Sequence, residues 1–198
     1  MAAEPAAWVD AGFHVAHDLV EAGSVRIRLA GADAGRGLVS WSLRGLAGDE
    51  LDGLPVERSE RPAATGAAHP NGVVSLDHVV AFSPNLDRTL AALRGAGLDF
   101  RRLREKPTPA GAPRQGFFRM GEVILEVIQV PDGSSLLADP DGPSRLWGLS
   151  FLVEDLDRPA AALGERLGDP RDAVQPGRTI ATVRKEARLG VPVALMTP

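Results

Sequence analysis

The sequence predicts an α+β protein built from two tandem strand–helix–strand–strand–strand (βαβββ) units, with mixed curved sheets around a cleft. The first observation is an internal repeat, which indicates a duplicated structural unit. The segment "NLDRTLAALRGAG" from Asn85 matches "DLDRPAAALGERLG" from Asp155 at six positions, at a shift of 70 residues. The second observation is that an apolar segment typical of a buried strand precedes each copy, "SLDHVVAF" and then "LWGLSFLV".

Both repeated segments are predicted to be helices followed by strands. Leu86, Leu90 and Leu93 recur with the period of about 3.6 residues that places side chains on one helix face. Asn85 and Asp155 are of the types that cap helix N-termini. Segments with strand character follow, which are "DFRRLRE", "QGFFRMG" and "EVILEVIQV" in the first unit and "RDAVQP", "TIATVRKEA" and "VPVALMTP" in the second. Each sheet would carry its helix on one face, so two free faces could enclose a cleft suited to a ligand.

The sequence divides into three parts. Residues 1–46 are predicted to be a partial N-terminal unit, because "AAWVDAGF" at 6–13 resembles "AALRGAGL" at 91–98. The strand that should precede this helix is not found, so either the copy is incomplete or the natural start lies upstream of Met1. Residues 47–72 are rich in Gly, Pro and Ala and are predicted to be a linker. Residues 73–198 hold the two full units, 73–131 and 146–198.

Composition narrows the function classes. The chain has 198 residues, of which 44% are hydrophobic, enough for a sizeable core. A formal net charge of −4 argues against an electrostatic nucleic-acid binder. The absence of cysteine excludes disulfides, zinc–thiolate sites and cysteine nucleophiles. No stretch of the sequence has the length and apolar character of an export signal or a membrane span, which predicts a soluble cytoplasmic protein with no membrane partner.

The repeated unit, the opening "LDHVV" and the closing strand "VILEVIQVP" resemble the vicinal oxygen chelate superfamily. That superfamily includes glyoxalase I, extradiol dioxygenases, methylmalonyl-CoA epimerase and the bleomycin- and fosfomycin-resistance proteins. The resemblance covers residues 73–198 well and 6–46 loosely. It implies the glyoxalase-like fold, and it leaves the activity open because one fold hosts many chemistries.

The resemblance also implies a divalent metal held by residues of the first and last strands of each unit. His78 and Glu126 occupy those positions in the first unit, and a His–Glu pair suits Fe, Mn, Co, Ni or Zn. In the second unit the corresponding positions hold Gly148 and Ala194, which offer no side-chain ligand. Two protein ligands bind a metal poorly, so the protein could equally hold no metal.

Two residues are the candidate catalytic groups, and each has a plain alternative. His78 is a metal ligand or a general base, or else a half-buried strand histidine bonded to a neighbour. Glu126 is a base or ligand whose pKa is raised by its apolar strand, or else a carboxylate solvated in the cleft.

Four further residues are candidates for substrate binding. Arg114 could clamp a carboxylate or phosphate of the ligand, or could be a solvated loop arginine. Gln115 lies beside it at the entrance to a strand. Phe117 and Phe118 point to opposite faces, so one of them should line the cleft. Trp147 could form a flat apolar wall of the cleft, or could be a core residue.

These observations lead to a glyoxalase-like protein that binds a small, oxygen-bearing organic molecule in a cleft. As an enzyme it would be a metal-assisted isomerase, lyase or dioxygenase, with Glu126 and His78 as base and ligand. As the alternative it would be a non-catalytic protein that binds or sequesters a drug-like small molecule. A partial N-terminal unit with an unpaired strand edge favours a homodimer.

Overall fold

The computed structural model describes residues 1–107, 111, 113–131, 134 and 139–198. The helices and strands of these ranges, in chain order up to the first repeat, are α1 (Pro5–Asp10), β1 (Leu19–Ala22), β2 (Val25–Arg28), β3 (Trp41–Leu43) and β4 (Val56–Arg58). Those of the first repeat are β5 (Val73–Ser83), α2 (Leu86–Gly95), β6 (Asp99–Arg104), β7 (Gln115–Met120) and β8 (Val123–Gln129). Those of the second repeat are β9 (Arg145–Val153), α3 (Asp157–Leu163), β10 (Arg171–Asp172), β11 (Thr179–Val183) and β12 (Val193–Met196).

The two repeats have the same strand arrangement, which confirms the predicted βαβββ units and the α+β class. In the first, β5 pairs in parallel with β8, and β8, β7 and β6 follow one another as antiparallel neighbours. In the second, β9 pairs in parallel with β12, and β12, β11 and β10 follow in the same way. Each sheet is therefore mixed, with the last strand of the unit beside the first. None of the helices in the described ranges combines the length and apolar character needed to cross a membrane.

The helix caps follow the sequence prediction. Asn85 Oδ1 accepts the backbone N–H of Arg88 at 3.1 Å, which satisfies one unpaired amide of the first turn of α2. Asp155 Oδ1 accepts the N–H groups of Asp157 and Arg158 at 2.9 and 3.2 Å at the start of α3. The same residue types that identified the repeat thus fix where both helices begin.

The chain folds into two compact units, which are described separately. The flanking unit contains residues 1–39, 62–77 and 148–198, and the central unit contains residues 40–61 and 78–147.

In the flanking unit, the N-terminal helix packs against the second repeat. Trp8 is fully buried, its indole N–H donates to the carbonyl oxygen of Leu189 at 3.2 Å, and its ring lies 4.6 Å from Phe13. The rings of Phe13 and Phe151, the latter on β9, lie 5.3 Å apart. The strands of this N-terminal region form an antiparallel β1–β2 pair, whereas β3 pairs in parallel with β4 within the central unit.

Residues 47–72, predicted to be a linker, carry several buried groups. Leu51 and Leu54 are buried within the central unit, and His69 and Asn71 are buried within the flanking unit. His69 Nδ1 accepts the backbone N–H of His14 at 2.9 Å, and burial lowers the pKa of His69. This part of the chain is therefore packed, although its composition is typical of a loop.

Asn71 joins two segments of the flanking unit. Its side-chain amide donates to Ala11 O at 2.9 Å, and its Oδ1 accepts the N–H of Val73 at 3.2 Å. Replacement with alanine leaves these buried groups unsatisfied, so Asn71→Ala should lower the free energy of unfolding by about 1–3 kcal/mol. Asn85→Ala, which removes one exposed cap bond, should cost about 1 kcal/mol. Urea unfolding of both variants measures the difference, and an unchanged Asn71→Ala midpoint would contradict this role.

The central unit contains a buried polar network around Asp52. Its Oδ1 accepts Arg88 Nε at 2.6 Å, and its Oδ2 accepts the hydroxyl groups of Ser144, at 2.9 Å, and Thr89. Ser83 Oγ, at the end of β5, lies 2.6 Å from Thr89 Oγ1 on α2. The network therefore connects the end of β5, helix α2 and the turn before β9 to the segment around residue 52.

Candidate functional site

One face of the central sheet carries the candidate catalytic residues. Gly116 of β7 faces α2, because a Cβ there would lie 2.3 Å from Leu90 of that helix. Side chains alternate between the two faces along a strand, and paired residues of neighbouring strands point to the same face. The strand pairing therefore identifies the residues on the face that is turned away from α2. We call that opposite face the Glu126 face. It is formed by His78, Val80 and Phe82 of β5, Ile124, Glu126 and Ile128 of β8, Gln115, Phe117 and Arg119 of β7, and Arg102 and Arg104 of β6.

His78, Glu126 and Gln115 meet at the centre of this face. His78 Nε2 lies 3.7 Å from Glu126 Oε2, and their side chains are 19% and 14% exposed. Gln115 Nε2 donates a hydrogen bond to Glu126 Oε1. Gln115 is buried, and its Oε1 has no partner among the described residues. The cluster therefore offers a carboxylate, an imidazole and a spare amide acceptor.

Burial raises the pKa of the Glu126 carboxyl. The charge of His78, the hydrogen bond from Gln115 and the charges of Arg104 and Arg102 act in the opposite direction but do not cancel the effect of burial. A carboxyl group with a raised pKa exists in both protonation states closer to neutral pH, which is the property of a general base or acid.

Two aromatic groups flank the polar centre. The guanidinium carbon of Arg102 lies 4.6 Å above the Phe117 ring, and Phe117 is opposite Glu126 in the β7–β8 register. On the other side, Phe82 and Trp147 have ring centroids 4.8 Å apart, and Trp147 is 39% exposed. These rings give the face flat apolar surfaces beside its acid–base groups.

Arg114 lies away from this face. Its guanidinium donates to Asp87 of α2 through both terminal nitrogens, at 3.0 and 2.9 Å, and to Gln129 at 3.4 Å. The ion pair with Asp87 raises the pKa of Arg114 and lowers the pKa of Asp87. The arginine therefore binds the helix, and we do not place it among the ligand-binding residues.

The second repeat carries different groups at the matching positions. In the flanking unit, Gly148 and Ala194 supply no donor, as the sequence indicated. A Cβ at Gly148 would lie 2.9 Å from the carbonyl oxygen of Pro192, so a histidine there would collide with the backbone. Ser150 is paired with Ala194 in register and is buried, and its hydroxyl has no partner within the described ranges.

Of the residues of the Glu126 face that the sequence did not single out, three act on Glu126 or extend its aromatic surface. Arg102 and Arg104 act on Glu126 electrostatically, and Phe82 forms the aromatic pair with Trp147. The sequence signal that could have identified them is the alternation of side chains along the strands "DFRRLR" and "HVVAF". The β6 signal was obscured, because a bulge between Phe100 and Arg102 changes the register of that strand.

The donor set of the Glu126 face does not fit a resident divalent metal. His78 and Glu126 are its only histidine and carboxylate at the centre, and nowhere in the described ranges do three His, Cys, Asp or Glu side chains converge to hold a metal ion. One oxygen of Glu126 already accepts from Gln115, and Arg102 and Arg104 place positive charge beside it. A dication would have to compete with both.

The strand order of the two repeats is that of the vicinal oxygen chelate fold. No protein-family model and no curated protein matches the sequence. Among solved structures, the chain is similar to methylmalonyl-CoA epimerase from Mycobacterium tuberculosis, with 19% identity, a TM-score of 0.51, and coverage of 64% of this chain and 89% of that chain.

Two other structures illustrate the range of the match. Methylmalonyl-CoA epimerase from Streptomyces coelicolor in complex with 2-nitronate-propionyl-CoA has 20% identity, a TM-score of 0.51, and coverage of 63% of this chain and 94% of that chain. A hypothetical protein from Bacillus halodurans has 14% identity, a TM-score of 0.50, and coverage of 63% and 94%. At these identities the similarity establishes the fold.

Glu126→Gln is expected to make stability less sensitive to pH. Because burial raises the pKa of Glu126, the folded state keeps a proton that the unfolded state releases above its ordinary pKa of about 4.5. Stability therefore falls as the pH rises from that value through the raised pKa, by about 1.4 kcal/mol for each unit of the shift. The variant should be more stable than the wild type at about pH 8 and no more stable at about pH 4. Thermal unfolding of both proteins at both pH values tests this. The same difference in stability between variant and wild type at about pH 4 and at about pH 8 would contradict it.

Proposed function

We propose that this protein binds a small, oxygen-bearing organic molecule on the Glu126 face and that Glu126 removes a proton from a carbon next to a carbonyl group. The C–H bond breaks, its electrons form an enolate, and the proton is held on a Glu126 carboxylate oxygen. Return of the proton to carbon gives an isomerase, and loss of a leaving group from the enolate gives a lyase. The observation that carries the proposal is a buried carboxyl of raised pKa with an imidazole 3.7 Å away.

The neighbouring groups suit this role. Gln115 holds one oxygen of Glu126 in place, so the other oxygen is oriented toward His78. His78 adds a second proton carrier at the same point of the sheet. The orphan Oε1 of Gln115 can accept a hydroxyl or N–H group of the ligand, which would satisfy a buried acceptor that otherwise costs stability.

The ligands of proteins with this fold supply the first probes. Structures of methylmalonyl-CoA epimerase hold methylmalonyl-CoA or 2-nitronate-propionyl-CoA. Metal-assisted or dioxygenase chemistry, which the resemblance also implied, is not part of the proposal because one imidazole and one carboxylate beside two guanidinium groups do not fit a resident metal.

The test is hydrogen exchange in D2O, followed by proton NMR. Methylmalonyl-CoA, pyruvate and butanedione are incubated with the wild-type protein, and the signal of the hydrogen next to the carbonyl is recorded over time. The proposal expects faster loss of that signal with protein than without for at least one compound. Saturable binding with no exchange of any compound would overturn the proton transfer.

That second outcome would support a non-catalytic small-molecule-binding protein. The observation that favours this alternative is the aromatic surface formed by Phe82 and Trp147. In the second repeat, the positions that match His78 and Glu126 hold Gly148 and Ala194, which carry no acid–base group. In that case Glu126 and Gln115 would serve only as hydrogen-bonding partners of the ligand.

A further inference from the structure

The positively charged edge of the Glu126 face points to the chemical class of the ligand. Arg102 and Arg104 lie two residues apart on β6, opposite Phe117 and Gln115 in the register with β7. Both guanidinium groups act on the pKa of Glu126, so they lie within electrostatic range of the proposed base.

Phe117 fixes the orientation of Arg102. The guanidinium carbon is 4.6 Å from the ring centroid, which is a cation–π distance. The N–H groups of a guanidinium lie along its edge, so an arginine that contacts a ring in this way can still donate in a bidentate manner to an oxyanion. Arg104 donates from Nε to the carbonyl oxygen of Lys106 at 3.2 Å, which anchors it to the end of the same strand.

The charges on this face are not balanced from within. On the four strands the acidic residues of the face are Glu126 and, at the far end of β6, Asp99. Asp99 pairs with Arg101 at 3.1 Å, so it is already engaged by another arginine. Among the described residues of these four strands, two guanidinium groups therefore stand beside one central carboxyl group, and an incoming oxyanion would add the second anion.

We infer that the ligand of the Glu126 face carries a carboxylate or phosphate group, which Arg102 and Arg104 bind while Phe117 holds Arg102 in place. This rests on the proposed function for the position of the reacting carbon. It adds that the molecule is an anion whose charged group and acidic C–H are separated by no more than the width of the three strands β6, β7 and β8. Such an ion pair also neutralises the guanidinium charges nearest to the developing enolate, so the subsite serves recognition rather than the stabilisation of the enolate.

The test compares three probes that share a phenyl ring: benzoate, phenyl phosphate and neutral benzamide. Binding to the full chain is followed by tryptophan fluorescence, and Trp147→Phe identifies the part of the signal that comes from this face. We expect benzoate or phenyl phosphate to bind at least about tenfold more tightly than benzamide, since a paired charge is worth about 1.4 kcal/mol or more. Which of the two anions binds better distinguishes a carboxylate from a phosphate ligand.

Arg102→Gln should remove the preference for the anion and leave benzamide binding unchanged. Arg101→Gln is the matched control, because Arg101 lies on the same strand but pairs with Asp99, and it should keep the preference. Equal binding of all three probes, or an equal loss in both variants, would overturn the inference. The two proposals can fail separately. If the protein exchanges the hydrogens of butanedione but binds the three probes equally, only the anion subsite is contradicted. If the protein prefers the anionic probes but exchanges no hydrogen of any compound, only the proton transfer is contradicted.

Discussion

Asp52→Ala is expected to lower the free energy of unfolding by about 2–4 kcal/mol, because it leaves two buried hydroxyl groups and a partly exposed arginine without their acceptor. The Asp52 side chain is only 8% exposed, and it binds Arg88, Thr89 and Ser144. Its backbone φ of 56° adds to the loss, because alanine tolerates that left-handed conformation less well than aspartate. Thermal and urea unfolding measure the change.

Two further variants show whether a loss of stability in Asp52→Ala comes from the hydrogen-bond network or from any substitution in this segment. Asp52→Asn keeps one acceptor oxygen for the two hydroxyl groups and replaces the oxygen that faces Arg88 with an NH2 group, so its loss should be smaller than that of Asp52→Ala. Asp49→Ala changes an exposed neighbour and should stay within about 0.5 kcal/mol of the wild type. If Asp52→Ala behaves like Asp49→Ala, the network does not hold α2 to the rest of the central unit.

Glu126→Gln is expected to slow hydrogen exchange of the responsive carbonyl compound by about 10²–10⁴-fold, which is the usual contribution of a general base. Glutamine keeps the size of the side chain and can still bond Gln115, but it cannot accept the proton. The exchange assay in D2O measures the rate, and circular dichroism confirms that the variant is folded.

Glu122→Gln is the matched control for this substitution. Glu122 lies in the exposed turn between β7 and β8, four residues from Glu126 along the chain. Its replacement by glutamine is the same chemical change at a position outside the site. Its exchange rate should equal that of the wild type. Wild-type rates in Glu126→Gln, or an equal loss in both variants, would show that Glu126 is not the base.

The fold could be predicted from the sequence because its signals are local. The repeated Leu-Asp-Arg and Ala-Ala-Leu runs gave both helices, and the apolar segments around them gave the strands. The pairing of His78 with Glu126 was implied by the family resemblance, and strand alternation allows both side chains to point to one face. The repeat itself required no knowledge of how distant segments pack.

The missing parts of the site depend on long-range contacts or on strand register. Arg114 and Gln115 are adjacent on entry to β7, so they face opposite ways: Gln115 reaches Glu126, whereas Arg114 reaches Asp87 of α2. Arg102 joins the face only through the bulge in β6. Asp52 lies in a segment whose composition indicates a linker, and its partners Thr89 and Ser144 are far away in the chain.

The titration of the Glu126 carboxyl tests directly whether burial raises its pKa, on which its role as a base depends. Carbon-13 NMR of protein labelled at glutamate side chains, with Glu126→Gln to assign the signal, gives the pKa of this one group. Because the effect of burial outweighs that of the cations around Glu126, we expect the midpoint of its titration to lie above the ordinary value of about 4.5. A midpoint at or below that value would mean that the carboxylate is fully ionised and stabilised by its neighbours, and Glu126 would then be a structural anion rather than a base.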